Sequence, residues 1–314
     1  VNFRFGDIET ENELAEIFGC TVEDLLKVAG ATDQLQFYEQ ISLPKKGRKR
    51  RGEFRVVYKA NSQTLRLLQK NIATALSKST VFADCVQGFT AKRSIVTNAR
   101  AHLGAKILVH ADIKNFFESI KLPQIQEAFQ SLGCNAVIAS TLSRVCSING
   151  FLPQGSNASP ILANLVCRNL DTDLLALASA TGSVYTRYAD DITFSGATVP
   201  RGDAIRDLLM KYGFELRGGT CRTQKRGKAQ YVTGLTISDT SRPRVARRIK
   251  SRLRLELYYA RKFGFEDHTT HAGREESPIL AEKRIAGWIK FIYSVEPGRA
   301  KIFAEQLTQA LGVE

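Results

Sequence analysis

Two adjacent acids at the tip of an apolar hairpin constrain this chain more than any other feature. Val184-Tyr185-Thr186-Arg187-Tyr188 and Ile192-Thr193-Phe194 are runs of β-branched and aromatic residues, separated by Ala189-Asp190-Asp191. Such runs around a short break read as strand, tight turn, strand. Neighbouring carboxylates repel and raise each other's pKa, so a cation must sit beside them. A third acid, Asp112, ends the apolar run Lys106-Ile107-Leu108-Val109-His110-Ala111-Asp112, which reads as a buried strand. If that strand pairs beside the hairpin, three carboxylates converge at one rim. Hard oxygen donors in that arrangement suit two Mg2+ ions about 3.5–4 Å apart. One ion would lower the pKa of an attacking hydroxyl, and the other would hold a triphosphate and its leaving oxygen.

The rest of the chain supplies a frame for that rim. Residues 11–30 read as two packed helices with a turn at Gly19-Cys20-Thr21 and Thr21 as N-cap. Tyr38–Pro44 and Phe54–Tyr58 alternate as strands of a second hairpin, with a cationic loop at its tip. Helices are expected over 63–77, 122–132, 136–146 and 203–213. Ser159-Pro160 reads as N-cap and first residue of a further helix running to about Ala178. Tyr231–Ile237 reads as a short strand. Beyond Arg242, Val245, Ile249, Leu253 and Leu257 recur every four residues, a narrow apolar helical stripe.

Charge points to a polyanionic partner. The formal net charge is +14, and the excess is concentrated. Lys45-Lys46-Gly47-Arg48-Lys49-Arg50-Arg51 is nearly all cationic, and Arg242–Lys262 holds nine basic residues against one acid, Glu256. The second cluster lacks a free bulky apolar face, so nucleic acid is favoured over a membrane surface. No apolar run approaches the roughly 18 residues a membrane span needs, and the acidic first residues do not read as a signal peptide. The six cysteines form no C-x-x-C pair and read as free thiols of a cytoplasmic protein. His268 and His271 share a helix face without a nearby cysteine, a weak zinc signal.

Three segments, in order, resemble the motifs of reverse transcriptases. Ala111-Asp112-Ile113-Lys114-Asn115-Phe116-Phe117 resembles motif A, Leu152-Pro153-Gln154-Gly155-Ser156-Asn157-Ala158-Ser159-Pro160 motif B, and Tyr188-Ala189-Asp190-Asp191 motif C. The resemblance implies an α+β right-hand polymerase fold. Its parts would be an N-terminal helical segment (1–36), fingers (37–105), a palm of antiparallel sheet plus helices (106–238, with interleaved fingers helices at 120–150) and a helical thumb (239–314). It implies an RNA-directed DNA polymerase, a nucleotidyltransferase using dNTPs and two Mg2+ ions. By position, Asp112 and Asp190 match the main metal ligands, with Asp191 assisting and the Ile113 carbonyl contributing. Phe117 matches the steric gate against a ribose 2′-OH. Asn115, Gln154 and Gly155 match residues lining the nucleotide, and Arg55 with Lys45 or Lys46 those that clamp the triphosphate. One departure concerns motif D: Arg222 stands where a lysine proton donor is usual, and arginine is a poor donor. Lys225 is the alternative.

Shorter segments resemble bacterial retron reverse transcriptases. These are Gln87-Gly88-Phe89, the Asn-Ala-x-x-His element at Asn98–His102, and Val232-Thr233-Gly234. Ser238 departs from the family's usual Asn. The span beyond Leu235 suits a thumb, without an RNase H, endonuclease or maturase domain. A retron identity implies a structured noncoding RNA (msr-msd) as template and a guanosine 2′-OH as primer. The product would be branched msDNA, its template removed by host RNase H, in antiphage defence beside a separately encoded effector. Asn98, His102, Val232, Thr233, Gly234, Arg244, Arg247, Arg248 and Arg254 would contact nucleic acid. The rival readings are a non-retron defence reverse transcriptase and a non-catalytic RNA-binding scaffold.

Overall fold

Alternation and capping chemistry build most of the elements. In the computed structural model, described over residues 4–45, 52–219, 221–271 and 276–312 (side chains of 267–271 aside), the chain divides into two compact units. Residues 1–93 and 107–223 form the first, and 94–106 with 224–314 the second. Lys46, the other cations of 46–51, and the His268 and His271 side chains lie outside the described residues.

In the first unit, Thr10 and Thr21 cap helices Glu11–Phe18 and Val22–Ala29 by accepting from the Glu13 and Asp24 amides. Gly19, at φ 72°, ends the first of them in the left-handed conformation that glycine adopts freely. Both helices pack on helix Ala136–Cys146. Strands β1 (Tyr38–Pro44) and β2 (Phe54–Ala60) form an antiparallel hairpin in register from Tyr38–Ala60 to Pro44–Phe54. Helix Gln63–Ser79 buries Leu65, Leu68, Ile72 and Leu76, spaced three and four apart.

The central sheet contains β3 (Ile107–Asp112), β4 (Val184–Tyr188) and β5 (Asp191–Gly196), with β5 in the middle and antiparallel to both. Strand β6 (Arg222–Lys225) borders β3 and carries the chain out of the unit. Leu108, Val109, Ala111, Ile192, Phe194 and Tyr185 are buried, so the sheet is a core element. One expectation needs correction. Ser159 is not an N-cap: the cap position belongs to Ala158, and Ser159 is the first residue of helix Ser159–Val166 with Pro160 behind it. The helix also breaks at Cys167, and Arg168–Ala180 follows as a separate helix.

The second unit has short strands and long helices. Ser94 caps helix Ile95–Arg100 through its hydroxyl. Tyr231–Ile237 is not one strand but a miniature hairpin of β7 (Tyr231–Val232) and β8 (Leu235–Thr236), joined by Thr233 at φ 45° and Gly234 at φ 82°. Two positive-φ residues make the turn that matches strand twist. Strand β9 (Arg244–Val245) pairs with β8. Val245 therefore precedes the helical stripe instead of starting it. Helix Arg247–His271 buries Leu253, Leu257 and Ala260, and kinks at Gly264 (φ 75°). Helices Pro278–Tyr293 and Pro297–Ala310 pack against it. Among the described residues, no helix is long and apolar enough to cross a membrane.

Candidate active site

The β4–β5 turn is held from behind by a buried polar network. Ala189 sits at φ 57°, a conformation costly for a residue with a Cβ, of order 1–3 kcal/mol. Its carbonyl accepts from Arg187 Nη1 at 3.3 Å, and the Asp190 carbonyl accepts from the Ile113 amide at 3.0 Å. Arg187 is fully buried. Its Nε and Nη2 donate to the two oxygens of Asp171 at 2.8 and 2.6 Å, and the Tyr185 hydroxyl donates to Asp171 at 2.6 Å. Asn164 accepts from Arg187 Nη1 and donates to the Gly88 carbonyl at 2.9 Å. Gly88 presses on the turn itself: a Cβ there would stand 2.5 Å from the Ala189 nitrogen. Burying an ion pair is costly, but breaking one by removing a partner costs more. The network therefore stores its worth in position.

On the front of the turn are the acids. Asp112 and Asp191 are register partners across β3 and β5, and Asp190 adjoins Asp191. Arg217 bridges two of them. Its Nη1 donates to Asp112 Oδ2 at 3.2 Å, its Nε lies 3.2 Å from Oδ1, and its Nη2 lies 3.7 Å from Asp190 Oδ2. The Asp191 carboxyl is pushed up to about 6. Loss of hydration is the largest cause, although Asp191 keeps an accessible face in the cleft. The charges of Asp190 and Asp112 add to it, and Arg222 and Arg217 offset part of it. Among the described residues, no three metal-binding side chains are gathered as a ready ion cage. The donor set nonetheless fits hard divalent ions: three carboxylates whose mutual repulsion is only partly answered by two guanidinium groups.

A cleft of about 600 Å³ opens over this rim. The three aspartates line it, with Lys45 and Arg55 from the β1–β2 hairpin and Asn115, Phe117 and Gln154 beside them. Lys45 pairs with Glu53 at 3.3 Å, while Arg55 is exposed. Phe117 is half-buried, 5.4 Å from Phe116 and 6.1 Å from Phe89 between ring centres. Asn115, at φ 48°, starts helix Phe116–Ser119. The Gln154 carbonyl accepts from the Tyr58 amide at 2.8 Å. Gly155 sits against β2 at φ 113°, where a Cβ would meet Val57 Cγ1 at 2.6 Å and the Tyr58 carbonyl at 2.7 Å. The Ile113 side chain is buried, leaving only its backbone for any ligand role. Arg222 lines the cleft, whereas Lys225 belongs to the second unit.

In the second unit, several residues expected to meet nucleic acid are buried or paired within the fold. Asn98, His102 and Val232 are buried. Asn98 Nδ2 lies 3.4 Å from the Thr233 hydroxyl, which donates to the Ile95 carbonyl at 3.2 Å. The Asn-Ala-x-x-His and Val-Thr-Gly elements are thus partners in one joint. Arg244 pairs with Asp239 at 2.8 Å and Glu296 at 3.4 Å, which makes it a strut. Arg247, Arg248 and Arg254 are exposed along the long helix.

Sequence reasoning passed over Arg187, Asp171, Asn164 and Arg217 as functional positions. A lone arginine inside an apolar strand was the available signal for the first. The others needed the packing itself.

Comparison with known proteins finds a family and several relatives. A family model described as Reverse transcriptase (RNA-dependent DNA polymerase) matches residues 43–216. Retron Ec86 reverse transcriptase of Escherichia coli is 32% identical over 268 residues, covering 82% of this chain and 77% of that protein. Retron Mx65 reverse transcriptase of Myxococcus xanthus is 31% identical over 287 residues, covering 83% and 66%. A solved structure of telomerase from Candida albicans, in complex with a TWJ fragment of telomeric RNA, aligns at a TM-score of 0.47 and 10% identity over 87% of this chain and 63% of that one.

Proposed function

The chain belongs to the retron branch of the reverse transcriptase family and is an RNA-directed DNA polymerase, and on that premise we propose that Asp112, Asp190 and Asp191 are its catalytic centre. The observation that carries this reading is the register pairing of Asp112 with Asp191 beneath a turn locked from behind by Arg187. Reverse transcriptases use divalent ions. Here two Mg2+ ions would be held by Asp112, Asp190, Asp191 and the Ile113 carbonyl, and when bound they supply charge for hydroxyl deprotonation and pyrophosphate departure.

The chain's own residues do the rest. Lys45 and Arg55 place cationic charge where a dNTP triphosphate would lie, with Lys46, outside the described residues, as the alternative to Lys45. The Phe117 ring, backed by Phe116 and Phe89, stands as the gate against a 2′-OH. Asn115 and Gln154 line the nucleotide's space, with Gly155 behind. In this reading residues 1–36 are an N-terminal helical segment, 37–105 fingers, 106–238 palm and 239–314 thumb. Arg247, Arg248 and Arg254 offer their charge to a nucleic-acid backbone. The template would be a structured noncoding RNA, the primer a guanosine 2′-OH and the product branched msDNA. Host RNase H, a separate effector, cytoplasmic residence and antiphage defence complete the proposal.

The test is primer extension by the purified protein in Mg2+ and dNTPs, with sequencing of the nucleic acid that copurifies. Asp190→Asn should cut extension by at least about 10³-fold while RNA stays bound. A DNA joined 2′–5′ to RNA is the expected product. Extension that survives Asp190→Asn would refute the assignment of the centre, and copurified DNA without a branch would refute the priming reaction.

A further inference from the structure

Arg217 makes contacts that the polymerase reaction does not by itself require. It begins the short turn Arg217–Gly219, directly after Leu216, which bridges Ile113. One residue earlier, the Glu215 carbonyl accepts from the Lys114 amide at 2.8 Å. The backbone before Arg217 is therefore pinned to the segment that follows Asp112. After it come Gly218 and Gly219, both at positive φ (72° and 70°), with nothing within 4 Å of where their Cβ atoms would be. Its side chain is 36% accessible and reaches into the cleft from that pinned base.

Its guanidinium engages both oxygens of Asp112 and reaches Asp190. A divalent ion needs those same oxygens: Mg2+ coordinates carboxylate at about 2.0–2.1 Å in near-octahedral geometry. The guanidinium, donating to Asp112 Oδ2 and 3.2 Å from Oδ1 through Nε, occupies the space beside that carboxylate which an ion would need. Ion and arginine answer the same repulsion, and they do so in the same place.

We infer that Arg217 is a built-in counter-ion, neutralising Asp112 and Asp190 in the metal-free protein and giving way when a divalent ion enters. The inference rests on reading the three aspartates as the metal site. Arg217 then sets how tightly the empty centre takes up a free ion. It also keeps the carboxylates from repelling one another until an ion is present.

Mn2+ serves as the probe, followed by electron paramagnetic resonance with the full chain and no nucleotide. Arg217→Gln should bind Mn2+ about fivefold more tightly than the unsubstituted protein, the scale of a half-exposed ion pair. Asp190→Asn should lose that binding. Equal or weaker affinity in Arg217→Gln, with binding still lost in Asp190→Asn, overturns the counter-ion and leaves the metal site standing. Binding that Asp190→Asn does not change removes the metal-site reading and the inference with it. Should Arg217→Gln fail to fold, Arg217→Lys enters the same titration. An ammonium group is a single point of charge that does not reach Asp112 and Asp190 together as the guanidinium does, so this variant should also bind Mn2+ more tightly. An affinity equal to the unsubstituted protein's would overturn the inference.

Discussion

Two of the molecule's tight turns that use positive-φ residues, Ala189-Asp190 and Thr233-Gly234, do opposite things. At Ala189-Asp190 the turn presents its acids to a cleft, and a buried arginine, an asparagine and a glycine brace it from behind. At Thr233-Gly234 the turn gives its hydroxyl to the Ile95 carbonyl, and the flanking Val232 and Leu235 are buried. The first spends polar contacts to hold charge in place. The second uses them to fasten two distant segments of one unit. Similar backbone devices thus serve chemistry in one unit and cohesion in the other. What separates them is whether the side chains at the tip point toward water or toward the interior.

That contrast can be broken by substitution. The largest effect is expected at Arg187→Met, which strands the Asp171 carboxylate in the core. Removal of one partner from a buried pair costs about 3–5 kcal/mol, read as a lowered denaturation midpoint. A variant as stable as the parent would show that the network does not brace the turn. Next comes Gly88→Ala. Its Cβ must displace the Ala189 nitrogen, at a cost of about 1–3 kcal/mol, and primer extension should fall further than stability does. Equal activity in Gly88→Ala would mean the tip tolerates movement. The smallest effect is expected at Thr233→Ala, about 1 kcal/mol for the lost hydrogen bonds, with the rate of dNTP addition unchanged in single-turnover assays. A slowed chemical step there would erase the distinction between the two turns.

Much of the fold was legible because local signals agreed. Alternation marked β1 and β2, β-branched and aromatic runs marked β3 to β5, and Thr21 stood where a cap belongs. The order of three motifs made the family readable. The misreadings arose where packing overruled a local rule. Ser159 looks like a cap before Pro160, but its hydroxyl lies inside the helix start and is buried. Tyr231–Ile237 looks like one strand because nothing in Val-Thr-Gly announces that threonine will take a positive φ. Asn98 is buried, and only the fold shows that its amide meets Thr233. Arg187 and Asp171 are separated by a helix end and a strand, so their pairing is a tertiary fact. Arg217 was equally hidden: in sequence it is one cation among many in a basic chain.

The hydrogen bond between Tyr58 and Gln154 has a mechanical consequence. Strand β2 carries Arg55, and Gly155 lies so close to Val57 and Tyr58 that no side chain fits between. The two segments are hinged together like a latch and its plate. Any swing of the hairpin must drag Gln154 along, so Arg55 on the strand and Gln154 across from it share a single coordinate of motion.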